Sequence, residues 1–100
     1  MARKVVWAEE AVNDLESLAA YISRDSAAYA ASFIQEIIDA GKTLSEFSAR
    51  GRVVPELNDL SIRELLVRDY RIIYHKEKRR VVILALVHGS RDLSRLWKNK

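Results

Sequence analysis

The chain has 100 residues, 49% hydrophobic and 31% charged, which fits one compact domain over residues 1–100 with a thin core and leaves no room for a second. No apolar run approaches the roughly 20 residues that span a bilayer, and the lack of cysteine excludes disulfides, thiol nucleophiles and Cys-based metal sites. The net charge of +3 divides unevenly, with five Lys or Arg against eight Asp or Glu in residues 1–50 (−3) and twelve against six in residues 51–100 (+6), so the second half suits a phosphate-rich or acidic partner.

Residues 3–7, Arg-Lys-Val-Val-Trp, are β-branched and aromatic and predict an opening strand. Glu9 and Glu10 follow before a signal-peptide core can form, so no membrane partner is expected and the cytoplasm is the location by elimination. From residue 8 to about 24, Val12, Leu15, Leu18, Ala19 and Ile22 recur at helical spacing behind an acidic first turn, which predicts an amphipathic helix. Asp25 and Ser26 offer an N-cap, and Ala30, Phe33, Ile34, Ile37, Ile38, Leu44 and Phe47 extend a second helix to about residue 48. So short a link makes the pair an antiparallel hairpin, and Gly41 within the second helix marks a close crossing or a bend. Residues 49–61 carry Gly51, Pro55, Asn58 and Asp59 and read as loop. Three strand-like runs follow at 62–67, 70–76 and 80–88, joined by very short polar links, which predicts an antiparallel three-stranded meander under the helices. The third run is apolar on both faces and should be central, whereas the first two alternate and should each have one wet face. A short helical turn over residues 90–97 closes an α+β domain.

Alternation puts Arg71, Ile73 and His75 on one face and Tyr70, Ile72 and Tyr74 on the other. If the helices cover the tyrosines, Arg71 and His75 lie on an open face that Arg63 of the neighbouring strand can join, making a basic surface able to grip phosphates or an acidic peptide. At the end of the last strand His88 has two readings, a general acid or base beside Arg91 or a ring hydrogen-bonded at the strand-to-turn junction. Trp97 can stack on a base or simply pack with Leu93 and Leu96, while Arg91 and Arg95, four apart, share a face of the turn and with Trp97 are candidates for contacting a target. No Gly-rich phosphate loop, GxSxG or HExxH motif is present, and two histidines make a poor metal centre, so neither metal nor cofactor is expected.

Several segments in order carry a resemblance: Val5-Val6-Trp7-Ala8 with Asp14-Leu15, Gly51 to Leu57, Ile62-Arg63-Glu64-Leu65, Tyr70-Arg71-Ile72-Ile73-Tyr74, and Val87-His88-Gly89-Ser90-Arg91-Asp92-Leu93. Over residues 4–97 the chain resembles toxins of the RelE/ParE superfamily, the toxic half of bacterial type II toxin–antitoxin modules, and is more similar to ParE. The resemblance implies the same α+β fold and a hetero-oligomer with a cognate acidic antitoxin of ParD or RelB type, with Arg63 and Arg71 as the expected antitoxin contacts. It also implies one of two mechanisms. ParE-like members bind DNA gyrase and trap it on broken DNA, whereas RelE-like members cleave mRNA on the ribosome. Arg71 and Arg91 match basic residues of the nucleases, and with Arg63 and His88 they form the nuclease candidate set. Where those nucleases place lysines this chain has Ile62 and Glu64, and where they use a C-terminal tyrosine it has Trp97. An alkyl group and a carboxylate cannot stabilise a phosphorane charge, nor can an indole act as a phenolic acid or base, so the expectation is a gyrase-binding toxin with the mRNA endonuclease as the alternative.

Overall fold

The structure, a computed structural model, describes residues 2–95, and of Arg95 the backbone only. Strand β1 (Lys4–Trp7) leads directly into helix α1 (Glu9–Ser23), which lacks a side-chain cap at Ala8 but begins with Glu9 and Glu10 against the positive end of its dipole. Helix α2 (Ala27–Lys42) starts where expected, because the Ser26 hydroxyl accepts the Tyr29 N–H at 3.1 Å. It ends earlier than its apolar spacing suggests. The chain tightens into a 3-10 turn, Thr43–Ser45, as the Thr43 hydroxyl donates to Ala40 O at 2.6 Å, and this turn buries Leu44 but leaves Phe47 64% exposed. Gly41 does mark a close crossing: a Cβ there would lie 3.1 Å from Ile83 Cδ1 and 3.2 Å from Trp7 Cζ2.

The sheet has five strands in the order β1-β5-β4-β3-β2, with β1 parallel to β5 and every other pair antiparallel. Strands β3 (Ile62–Val67), β4 (Tyr70–Lys76) and β5 (Arg80–His88) form the expected meander, and β5 is central on this side, paired by both β1 and β4. The stretch read as loop holds an additional strand, β2 (Arg52–Val53), whose residues oppose Glu64 and Arg63. Two residues are too few for alternation to show, and Gly51 is what admits them: a Cβ there would meet Glu64 O at 2.4 Å and Tyr74 Oη at 2.7 Å. A register shift between Ile73 and Tyr74 interrupts the β4–β5 ladder, and nearby Asp14 of α1 accepts the Leu86 N–H at 3.0 Å. That bond ties the first helix to the sheet.

One face of the sheet, carrying Leu65, Val67, Ile72, Tyr74, Val81, Ile83 and Leu86, packs on Ala11, Leu18, Phe33, Ile37 and Leu44. The other face was expected to be wet and is not. Val54, Ile73, Ala85 and Leu93 are buried there, with Leu57, Ile62 and Val87 against them, because the segment after β2 and the 3-10 turn Leu93–Arg95 fold over the sheet. Periodicity reports which residues share a face, not what covers it. Strand β4 is therefore buried on both sides from Arg71 to Tyr74.

Candidate functional site

Burial of the second face decides what Arg71 can do. The residue is 4% exposed, its Nε donates to Glu64 Oε1 at 2.6 Å, and its Nη2 and Nη1 donate to the two oxygens of Glu56 at 2.7 and 2.9 Å. A further bond from Nη1 reaches Arg91 O at 3.0 Å, and Glu56 Oε2 in turn accepts the Leu93 N–H at 3.2 Å. Glu64, fully enclosed, also accepts from Arg52 Nε. A guanidinium taken out of water is tolerable only with such compensation, and the two carboxylates supply it. The Arg71 guanidinium holds the Glu56 carboxyl down to about 2 against its ordinary 4.5. The expectation of Arg71 on an open basic face is thus corrected: it is an internal clasp between β4, the segment after β2 and the C-terminal turn.

Arg63 does not join it. In register Arg63 opposes Tyr74, which puts it on the helix-packed face, where its Nη1 donates to Gly51 O at 2.8 Å and its buried Nε has no partner. The two arginines expected to share one surface lie on opposite faces of the sheet. His75 is on the Arg71 face as expected, but it sits beside Glu77, with Nδ1 at 3.1 Å from Oε2.

His88, the last residue of β5, and Arg91 are joined through the backbone at the C-terminal end of that strand, where the Arg91 N–H donates to His88 O at 3.0 Å. His88 is exposed, and its Nδ1 accepts the Ser90 N–H at 3.2 Å and lies 2.8 Å from Ser90 Oγ, which leaves Nε2 as the ring nitrogen that carries the proton of the neutral tautomer. The junction reading of His88 is the one its contacts describe. Its ring stands edge-on to Tyr70 at 5.3 Å, and contacts continue from Tyr70 to Phe33 at 5.7 Å and from Phe33 to Tyr29 at 6.2 Å. Arg68, in the tight β3–β4 turn with φ 54°, lies 5.5 Å from the Tyr29 ring and 5.6 Å from that of Phe33, and its Nε donates to Glu36 at 2.8 Å. Sequence reasoning missed this aromatic row. Its signal was available in the i,i+4 spacing of Tyr29 and Phe33 and in the hairpin register that sets Tyr70 opposite His88.

Arg91 is exposed and makes no ion pair among the described residues, while its carbonyl is held by Arg71. The buried clasp therefore positions a residue whose guanidinium makes no ion pair among the described residues. The Arg95 side chain and Trp97, the other expected target contacts, lie outside what the structure describes. Among the described residues no three His, Cys, Asp or Glu side chains converge as a metal site would require.

The family model described as ParE toxin of type II toxin-antitoxin system, parDE, matches residues 5–93. Among solved structures, the chromosomal ParDE toxin–antitoxin system from P. aeruginosa matches with a TM-score of 0.72 at 18% identity, over 87% of this chain and 96% of that one. The toxin–antitoxin complex RelBE2 from Mycobacterium tuberculosis matches with a TM-score of 0.65 at 20% identity, over 88% of this chain and 99% of that one. No curated protein sequence matches.

Proposed function

This chain belongs to the ParE toxin family of type II toxin–antitoxin systems, and we propose that it arrests growth by binding DNA gyrase, restrained in the cytoplasm by a cognate acidic antitoxin in a hetero-oligomer. The observation that carries this reading is the internal use of Arg71. Cleaving RNA through its 2′-hydroxyl needs a base and several cations free to hold the oxyanion as it forms. Here Arg71 faces two carboxylates and Arg63 lies across the sheet, so of the four nuclease candidates only His88 and Arg91 are exposed. Two groups at the end of a strand make a poor phosphodiesterase but a serviceable contact patch, and the row from His88 through Tyr70 to Tyr29 beside Arg68 has the aromatic and guanidinium chemistry that dominates protein–protein binding energy. Gyrase arrest then arises from binding, with no proton transfer by this chain.

The ribosome-dependent mRNA endonuclease is kept as a second reading by one observation, the exposed His88 ring three residues from Arg91, which is exposed and makes no ion pair among the described residues. Expression without antitoxin separates the two. Gyrase poisoning gives an early DNA-damage response with transcripts intact, and His88→Gln retains growth arrest. Rapid transcript cleavage that His88→Gln slows by orders of magnitude would favour the nuclease and sink the gyrase reading.

A further inference from the structure

We propose that the corner formed by Phe47, Arg50, Arg63 and Arg3, at the opposite end of the sheet from His88 and Arg91, is the docking site for an acidic, apolar-bearing segment of the antitoxin; this rests on the toxin–antitoxin reading above. The corner is a built surface. Its floor, residues 46–51, is held by the Tyr74 hydroxyl, which donates to Ser48 O at 2.8 Å and accepts the Gly51 N–H at 3.0 Å. Arg3 Nη1 donates to Ser48 Oγ at 2.7 Å, Arg63 Nη1 to Gly51 O at 2.8 Å, and Arg50 Nη1 to Thr43 Oγ1 at 2.8 Å. Residues 46–50 line an open depression on this floor, and the Phe47 ring stands 64% exposed beside it.

Three arginines without carboxylate partners among the described residues meet at the corner. Arg52, Arg68, Arg71 and Arg80 pair with carboxylates; Arg3, Arg50 and Arg63, like Arg24, Arg79 and Arg91, pair with none among the described residues, but these three are gathered on one segment, residues 43–51, by their hydrogen bonds. Glu46 is the one carboxylate in the lining, and it makes no ion pair among the described residues. Guanidiniums held by backbone and hydroxyl bonds, with faces left for a carboxylate, suit bidentate pairing at little cost in side-chain entropy. An exposed phenylalanine beside them requires an apolar side chain from the same segment, since carboxylates alone would leave it wet. The antitoxin is the occupant these features favour: a second copy of a chain of net charge +3 would bring its own arginines to the contact.

The test uses the full chain and the full-length antitoxin produced with it, comparing wild type with Phe47→Ala/Arg50→Glu, two exposed positions, and with Lys78→Glu in the β4–β5 turn as a charge control. Affinity by calorimetry should fall about 100-fold for the double variant and little for the control, with melting temperature kept and growth arrest by free toxin unchanged. Arg50→Lys, keeping charge without the fork, should fall between. Double-variant affinity within threefold of wild type overturns the site. So does conversion of a wild-type toxin dimer to monomer with antitoxin affinity unchanged, which would make the corner a self-interface. Failure of the wild-type chain to bind antitoxin at all would instead overturn the toxin–antitoxin reading together with the site.

Discussion

Arg71 shows how one buried residue can change the meaning of a sequence pattern. A fork of donors meets two carboxylates, one from β3 and one from the segment after β2, and also holds the Arg91 carbonyl. Because the Glu56 carboxyl titrates at about 2 in the folded chain against its ordinary 4.5, its ionised form adds stability above about pH 4.5, and that contribution is lost as pH falls toward 2. The shift corresponds to stability on the order of 3 kcal/mol. Glu56→Gln should therefore lower the melting temperature at pH 7 and flatten its decline between pH 5 and 3, as thermal melts across that range would record. An unchanged acid profile in the variant would remove Glu56 from the clasp's energetics. Sequence alone could place Arg71 on the face opposite Tyr70, Ile72 and Tyr74, and did so correctly. It could not supply Glu56, fifteen residues away in a segment with loop chemistry, and so could not foresee a neutralised charge.

At the level of elements, the helices and the meander were legible because their signals are local: three- and four-residue spacing, the Ser26 cap, and short polar links between apolar runs. What escaped were features set by tertiary contact. Strand β2 exists only through pairing with β3, α2 stops where Thr43 turns its hydroxyl back on the helix, and the second face is dry because Val54, Leu57 and Leu93 cover it. The C-terminal turn is thus part of the core as well as a platform for Arg91. Leu93, completely buried, should be its keystone, and Leu93→Ala should cost about 3 kcal/mol by the cavity it leaves. Denaturant melts would measure that loss, and hydrogen exchange should show Arg91 and Asp92 opening before β4. A cost below about 0.5 kcal/mol would mean that the turn merely rests on the surface.

Across the whole molecule, the surplus of positive charge in residues 51–100 does not form the single basic face that alternation suggested. Part of it is paired with carboxylates, at Arg52, Arg68, Arg71 and Arg80, part lies around the β4–β5 turn at Lys76, Lys78 and Arg79, and the rest includes Arg91 beyond the aromatic end and Arg63 at an opposite corner with Arg3 and Arg50 from the other half of the chain. Two partners can then be served by different ends of one small domain, with the antitoxin at one and the target at the other. Arg91→Ala combined with Arg95→Ala should abolish growth arrest while leaving melting temperature and antitoxin affinity near wild type; full toxicity in that double variant would remove the C-terminal end from target binding. The central claim, that arrest comes from binding gyrase, is tested most directly with purified toxin freed of antitoxin, added to a gyrase supercoiling reaction and, in parallel, to ribosomes translating a defined mRNA. Loss of supercoiling with accumulation of broken DNA, reversed by antitoxin, and an intact message is the predicted result; unaffected gyrase with the message cut at discrete positions would contradict it.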